Sequence, residues 1–118
     1  MKDSLQVGLS NVEEREITED LTTGHVGGTP VLSTPSMIGL MEGVCLNAAI
    51  AHLDDDETTV GIHVNVSHVA GSALGEQVTV ACRLAEINKR RLVFEVSARV
   101  GDRLLGEGTH QRAVVKLK

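Results

Sequence analysis

Residues 30–53 read PVLSTPSMIGLMEGVCLNAAIAHL, an apolar stretch of small and aliphatic side chains. A helix start lies near its beginning, because Ser33 or Thr34 can cap first-turn amides and Pro35 suits the first helical position. The pattern predicts a helix that continues to about Leu53. Since apolar residues occur around its whole circumference, this helix is predicted to be buried on nearly every side.

The single carboxylate in this stretch is Glu42. An unpaired carboxylate in an apolar interior is energetically costly, so such a group is usually paired, hydrogen-bonded or protonated. Acids held in this way are candidates for catalytic groups. The alternative is a solvent-facing helix position, which the apolar neighbours on both sides make less favourable. The sequence therefore predicts that Glu42 is a buried acid with a catalytic role.

The remainder of the chain is predicted to be strand and loop. Residues 5–23 contain a partly exposed first strand, and the glycine-rich residues 24–33 form a loop that could act as a lid. The acidic run 54–57 is interpreted as a solvated connection. Four further strands are predicted: 58–69, 76–88, 91–101 and 103–117. This order predicts one α+β domain, residues 1–118, in which a curved antiparallel sheet of about five strands wraps one long central helix.

Composition excludes several classes of function. The chain has 118 residues, a net charge of -5 and one aromatic residue, Phe94. Base-stacking surfaces are therefore missing, and nucleic acid is not an expected partner. Cys45 and Cys82 lack CxxC spacing and are interpreted as small core residues, so neither a disulfide framework nor a zinc site is indicated. No metal or cofactor is expected. No signal peptide or long apolar span is evident, which predicts a cytoplasmic protein that does not enter membranes.

Charge is distributed unevenly along the chain. Residues 1–82 hold two basic and 12 acidic side chains, whereas residues 83–118 hold nine basic and four acidic ones. A locally basic region in an acidic protein can attract a phosphorylated small molecule. Solvated strand ends and turns explain the same pattern equally well. The candidate phosphate-binding side chains are Lys89, Arg90, Arg91 and Arg112.

Residues 60–69 predict a second catalytic group. A period of two places five residues on one face: Val60, Ile62, Val64, Val66 and His68. This apolar face is expected to contact the helix, so His68 is expected to point into the layer that holds Glu42. A histidine on an apolar face is more often a satisfied core residue. The acid expected in the same layer favours the catalytic interpretation.

Two further groups complete the candidate site. Thr34 lies at the helix start, where unpaired amides could bind an oxyanion, although a simple capping role is the plain alternative. The last predicted strand contains the string GEGTHQR, in which His110 and Arg112 share one face. Gly106 and Gly108 in that string would allow another backbone or a ligand to approach closely.

The chain resembles a known family through three strings: STPSMIGLMEGVC, VNVSHVA and GEGTHQRAVV. They are similar to those of the fluoroacetyl-CoA thioesterase-like branch of hot-dog acyl-CoA thioesterases, over roughly residues 5–118. The resemblance implies a hot-dog fold and a catalytic set of Thr34, Glu42 and His68. It also implies a homodimer, joined sheet edge to sheet edge, with acyl-CoA near the interface and higher assemblies left open.

The functional hypothesis is therefore hydrolysis of an acyl-CoA, with a short acyl chain favoured. Substrate or CoA binding is assigned to Gly71, His110, Arg112, Arg90 and Arg91. Residues 24–33 contain no aromatic side chain to close over a small acyl group, so selectivity for a fluorinated acetyl group is not predicted. Two alternatives stay open. One is a hot-dog hydratase or dehydratase, whose usual Asp and His lie a few residues apart, and the other is a non-catalytic acyl-CoA-binding module.

Overall fold

The computed structural model describes all 118 residues and contains one α-helix and seven strands. The helix, α1, spans Thr34–Ile50. The strands are β1 (Ser10–Glu16), β2 (Thr22–Thr23), β3 (Val31–Leu32), β4 (Glu57–His68), β5 (Gln77–Asn88), β6 (Arg91–Val100) and β7 (Arg103–Lys116). Five of them form an antiparallel sheet in the order β1-β5-β6-β7-β4, and β2 and β3 form a separate pair. The predicted α+β architecture is confirmed.

The helix begins as the sequence indicates, with one refinement. Ser33 is the N-cap, and its hydroxyl accepts a hydrogen bond from the Ser36 amide at 3.2 Å. Because Ser33 caps the helix, the hydroxyl of Thr34 is free for another contact. The helix ends at Ile50, three residues before the predicted end at Leu53.

One face of α1 packs on the sheet and forms the core. Its buried residues are Met37, Met41, Val44, Cys45, Ala48 and Ala49. They join buried side chains of β5, β6 and β7, among them Cys82 and the fully buried Phe94, in a cluster of 20 residues. Cys45 and Cys82 are thus core residues, as predicted.

The prediction that α1 is buried on nearly every side is wrong. The sheet covers only one face of the helix, and within this chain nothing covers the opposite face, where Gly39 and Asn47 are exposed and Ile50 retains 46% exposure. Glu42 lies at the border between the two faces, with its side chain 41% exposed rather than buried. No helix in the protein has both the length and the apolar character that a membrane span requires.

A β-bulge changes the predicted alternation of the strand after the helix. The register with β7 shifts between Gly61 and His63, which adds one residue to β4. After the bulge, Val64 pairs with the buried His110, and His68 pairs with Gly106. His68 therefore lies on the helix side as predicted. Before the bulge the helix side holds Thr59 and Gly61, so the predicted inward position of Val60 and Ile62 is wrong, and these residues are 44% and 51% exposed.

The predicted first strand and glycine-rich loop contain more structure than expected. Only Ser10–Glu16 of residues 5–23 form a strand of the main sheet. A short 3-10 helix, Glu19–Leu21, follows and leads into β2. Thr22 pairs with Leu32 and Thr23 with Val31, so residues 22–32 form a hairpin with the glycine-rich segment at its tip.

The acidic run 54–57 is only partly the solvated connection that was predicted. Glu57 begins β4, and its side chain is 2% exposed. Its carboxylate accepts hydrogen bonds from the Met1 ammonium, the Asp54 amide and the Arg90 guanidinium. A buried carboxylate with three donors is a structural group, because its charge is compensated at every side.

Candidate active site

Thr34 and His68 form the central contact of the candidate site. The Thr34 Oγ1 atom lies 2.8 Å from His68 Nδ1. The first turn of α1 supplies the hydroxyl, and the last residue of β4 supplies the imidazole. The two residues are 34 positions apart in sequence, and the predicted association of the helix start with this histidine is present in the fold.

The second imidazole nitrogen of His68 is buried and has no hydrogen-bond partner in the protein. Buried polar atoms are almost always paired, so an unpaired one is characteristic of a site whose partner arrives with a ligand or with a change of state. When Thr34 donates to Nδ1, Nε2 carries the ring proton; when Nδ1 carries it, Thr34 accepts. Either arrangement couples a hydroxyl to a titratable ring.

A cavity of about 490 Å³ opens beside this pair. Its walls come from the helix start, from His68 and from the hairpin 22–32, including Thr23, His25, Val26 and Leu32. His25 is held by a 2.7 Å contact between its Nδ1 and Thr23 Oγ1. The glycine-rich tip therefore lies where a lid over the Thr34–His68 pair would lie. A hollow of about 550 Å³ between Arg83, Glu95 and Arg99 contains none of the predicted site residues.

The helix start offers one amide, rather than several, for an oxyanion. Pro35 has no N–H, the Ser36 amide donates to Ser33 Oγ, and the Met37 amide donates to the Ser33 carbonyl. The Thr34 amide makes no hydrogen bond within the protein. It lies at the positive end of the helix dipole, where negative charge is stabilised.

Glu42 belongs to a second group of side chains, together with two residues of β7. Its Oε2 atom lies 3.8 Å from Arg112 Nη1 and 3.9 Å from His110 Nε2. These distances are too long for direct hydrogen bonds. Arg112 and His110 are almost completely buried, with 5% and 1% exposure.

Hydrogen bonds determine the orientation of Arg112 and His110 and the protonation of the His110 ring. Arg112 donates to Thr59 Oγ1 through Nε at 2.8 Å, to the Thr59 carbonyl through Nη2 at 3.1 Å and to His110 Nε2 through Nη1 at 2.9 Å. His110 Nε2 is consequently an acceptor, and Nδ1 donates to the His63 carbonyl at 2.8 Å. Burial also lowers the pKa of His110. His110 is therefore neutral, and the ion-pair partner of Glu42 is Arg112 alone.

The two groups are separate within one chain. Thr34 and Glu42 are eight residues apart on α1, which corresponds to about 12 Å along the helix. Gly61, beside Glu42, and His68 pair with Arg112 and Gly106, which are six residues apart on β7, so the two positions are about 20 Å apart along the strand. The structure brings Thr34 to His68 and Glu42 to Arg112 and His110, but it does not bring Glu42 to His68.

The residues assigned to CoA binding are dispersed. Arg90 is engaged in a 2.8 Å ion pair with the buried Glu57, and Arg91 is exposed at the start of β6. Both lie at the end of the sheet remote from His68, since Arg91 pairs with Ala113 and His68 with Gly106, about 23 Å apart along β7. Gly71 is exposed in the loop that follows His68.

His110 and Arg112 are buried and hydrogen-bonded inside the chain, because β7 turns this face towards the helix. Their assignment to substrate or CoA binding stays a prediction. Gly106 and Gly108 do permit a close approach, but the approaching atoms belong to the β4 backbone and Met37 rather than to a ligand.

Sequence and structure comparisons agree on the family. The model of the fluoroacetyl-CoA-specific thioesterase family matches residues 12–118. The chain belongs to this family. It is 34% identical to the fluoroacetyl-CoA thioesterase of Streptantibioticus cattleyicolor over 126 aligned positions, which cover 100% of this chain and 91% of that protein.

Solved structures give the same result. The fluoroacetyl-CoA thioesterase FlK superposes with a TM-score of 0.90 at 32% identity, covering 98% of this chain and 91% of that one. A mutant of FlK in complex with fluoroacetate and CoA gives a TM-score of 0.87 at 33% identity, with 96% and 97% covered. A Thermus thermophilus protein of the thioesterase superfamily, at 24% identity and a TM-score of 0.86, supports the hot-dog fold alone; it covers 95% of this chain and 85% of that one.

Sequence reasoning missed Gly61 and Thr59. Gly61 lies against the Glu42 carboxylate, and Thr59 accepts from the buried Arg112. A glycine inside a strand pattern is a signal for a bulge or a close approach, and it would have marked Gly61. Thr59 carried no comparable signal, because a threonine in a strand is ordinary.

Proposed function

We propose that this chain hydrolyses short-chain acyl-CoA at a site built from Thr34, His68 and Glu42. Membership of the family makes the chain an acyl-CoA thioesterase, a hydrolase acting on thioesters. The observation that carries the assignment of the site is the 2.8 Å contact between Thr34 and His68 beside a cavity of about 490 Å³. A hydroxyl, a titratable ring and an unpaired amide at one cavity wall are suited to thioester chemistry.

Each group has a role in this proposal. Glu42 is the nucleophile that attacks the acyl carbonyl or the base that activates water. His68 donates the proton to the leaving thiolate or positions the water, and the Thr34 hydroxyl orients the reacting group. The Thr34 amide stabilises the oxyanion, since a preorganised donor at the developing charge is among the strongest catalytic effects.

A homodimer completes this site. Strand β4 is an edge of the sheet and exposes Val60, Ile62 and Val64, which are 44%, 51% and 40% exposed. The opposite edge, β1, carries four charged residues at 13–16. Charges on an edge strand oppose pairing with another chain, whereas an uncharged apolar edge favours it. We therefore assign the dimer contact to β4.

The dimer also accounts for the separation of Glu42 from His68. Directly opposed residues of antiparallel strands point to the same face, so the pairing of two β4 strands is proposed to be centred on Asn65, which places His68 opposite the β-bulge that begins at the partner subunit's Gly61. Gly61 is the residue beside Glu42 within each protomer. Each of the two sites would then take Thr34 and His68 from one subunit and Glu42 from the other.

The acyl group is proposed to be short and is not assigned as fluoroacetyl. The fluoroacetyl-CoA thioesterases named above act on fluoroacetyl-CoA, but residues 24–33 of this chain contain no aromatic side chain. The walls of the cavity instead include Thr23, His25 and Val26 at the hairpin. The cytoplasmic location and any assembly beyond a dimer stay predictions from the sequence.

Release of free thiol from a series of acyl-CoAs tests the function. Acetyl-, propionyl- and butyryl-CoA are expected to release CoA faster than octanoyl- or palmitoyl-CoA, and Glu42→Gln is the matched inactive control. A hydratase would alter an enoyl-CoA without releasing thiol, and a binding module would bind acyl-CoA without changing it. A wild-type protein that binds acyl-CoA but releases no thiol would overturn the proposal.

A further inference from the structure

Gly61 lies where it leaves no room for a side chain. A β-carbon at this position would be 2.6 Å from Glu42 Oε2, 3.1 Å from His110 Cε1 and 3.4 Å from Arg112 Nη1. The Glu42 carboxylate therefore occupies the space that any other residue type at position 61 would fill. Gly61 stands at the edge of the β-bulge in β4.

The backbone of Gly61 does not itself require glycine. Gly61 is not among the residues with a positive φ, so an alanine could adopt the same backbone conformation. The shortest of these contacts is with the end of a flexible side chain, Glu42, rather than with backbone, while the His110 ring would have to move by only a few tenths of an ångström. An alanine at position 61 is thus expected to fold and to displace the Glu42 carboxylate.

On the side away from Gly61, the position of the Glu42 carboxylate is limited by Arg112 and His110. Arg112 is fixed by hydrogen bonds to Thr59 and His110, so its Nη1 atom has a defined position 3.8 Å from Glu42 Oε2. His110 is in turn fixed by the His63 carbonyl. The carboxylate lies between a glycine that gives it room and a buried cation that attracts it.

We propose that Gly61, Arg112 and His110 are positioning residues that hold the Glu42 carboxylate in its reactive place, with Gly61 supplying the space and Arg112 the charge. This inference rests on the proposed function, in which Glu42 does the chemistry. It assigns His110 and Arg112 a role that acts through Glu42 rather than through contact with CoA. A displacement of about 1 Å in a catalytic group can cost on the order of 100-fold in rate.

The first test substitutes the glycine. Gly61→Ala is expected to keep the thermal stability and the KM of the wild type and to lower kcat about 100-fold. In the Glu42→Gln background the same change is expected to lower kcat no further, because its effect passes through the carboxylate. Gly43→Ala is the matched control, since a β-carbon at Gly43 meets no atom within 4 Å.

The second test substitutes the cation. Arg112→Met is expected to lower kcat without raising KM, whereas the exposed Arg83→Met is expected to leave both unchanged. A contact with CoA phosphates would instead raise KM. Because Arg112 is buried, Arg112→Met can impair folding. If that variant does not fold, the result for Gly61→Ala alone tests the positioning role. Wild-type kcat in Gly61→Ala, or an equal loss in the Glu42→Gln background, would overturn the proposal.

An activity-independent measurement separates this inference from the function it rests on. Crystal structures of the wild type and Gly61→Ala are expected to show the Glu42 carboxylate displaced by at least about 1 Å, in line with the contact distance that alanine would create. A wild type without thiol release would refute the function, while an unmoved carboxylate in Gly61→Ala would refute the positioning role.

Discussion

The hydroxyl of Thr34 lies 2.8 Å from Nδ1 of His68 and joins the first turn of the helix to the last residue of an edge strand. Ser33, the adjacent residue, caps the helix, which leaves the Thr34 hydroxyl for this contact. Ser33 therefore stabilises the helix start, while the Thr34 hydroxyl is available for its proposed role in the chemistry. Substitutions of Thr34 can therefore test activity with little risk to the fold.

Thr34→Ser is expected to keep most of the activity, because it keeps the hydroxyl. Thr34→Ala and His68→Ala are expected to lower kcat, the latter by roughly 10²–10⁴-fold if His68 transfers a proton. Thiol release at saturating acyl-CoA measures kcat, and circular dichroism checks the fold. Thr79→Ala, on β5 away from the cavity, is the control. Equal activity of Thr34→Ala and the wild type would remove the hydroxyl from the mechanism.

Ile62→Lys is expected to convert the proposed homodimer into a monomer of 12.5 kDa, because it places a charge in the middle of the apolar β4 edge. The matched control is Val12→Lys, since Val12 is 61% exposed on the opposite edge strand β1. Light scattering at micromolar concentration distinguishes the two masses. A monomeric wild type, or a dimer that Ile62→Lys leaves intact, would contradict the β4 contact.

Mixing two inactive variants tests whether the site is shared between subunits. In a heterodimer of Glu42→Gln and His68→Ala, one site receives both substitutions and the other receives neither. Subunit exchange is therefore expected to restore activity, up to about half of the wild-type rate per heterodimer. Each variant alone is the control. Activity that stays at the level of the separate variants, although heterodimers are detected by mass spectrometry, would place each site within one protomer.

The sequence predicted the elements of the fold because their signals are local. The cap at Ser33, the turn signals and the strand patterns identify each element from its own residues. The contacts across elements were harder to predict. The bulge at Gly61 shifts the strand register, and only the position of β7 reveals that shift. The burial of Glu57 likewise depends on Arg90 and on Met1, which lie far from it in sequence.

The candidate site was predicted in part for the same reason. Thr34 was identified from the helix-start signal and His68 from strand alternation, and the two side chains are in contact in the fold. The exposure of Glu42 depends on whether a second layer of structure covers the outer face of the helix. The residues next to Glu42 in sequence do not indicate whether such a layer exists. Strand alternation explains why Arg91 is exposed and Arg112 is buried. Leu92 is fully buried and pairs with Arg112, so these two side chains share the inner face, whereas Arg91, next to Leu92, points to the outer face.

Ionic strength is expected to raise the KM for acyl-CoA and to change kcat little, since screening weakens attraction of the CoA phosphates rather than the chemistry. Arg90 is paired with Glu57, and Arg112 is buried, so Lys89 and Arg91 are the basic residues of this group left for CoA. The double variant Lys89→Gln, Arg91→Gln is expected to raise KM at low salt and to lose most of the salt dependence. Arg99→Gln is the control. A KM insensitive to salt would exclude this basic region from substrate binding.

Stability against acid is expected to depend on Glu57. Hydrogen bonds from the Met1 ammonium and the Asp54 amide, with a contribution from Arg90, lower the pKa of Glu57 from 4.5 to about 2. Because the pKa is lower in the folded state, the stabilising effect is present above pH 4.5 and is lost as the pH falls from 4.5 to about 2. The urea midpoint is expected to decrease over this window.

Glu57→Gln provides the matched comparison for that decrease. The variant is expected to be less stable than the wild type at neutral pH and to show a shallower dependence on pH below 4.5. Some dependence is expected to persist, because the pKa of Glu76 is also lowered, by the Ala73 amide and Arg103. Thioesterase activity at neutral pH should be retained, since Glu57 contacts none of the proposed catalytic groups. Parallel pH curves for the two proteins would show that Glu57 does not control the acid response.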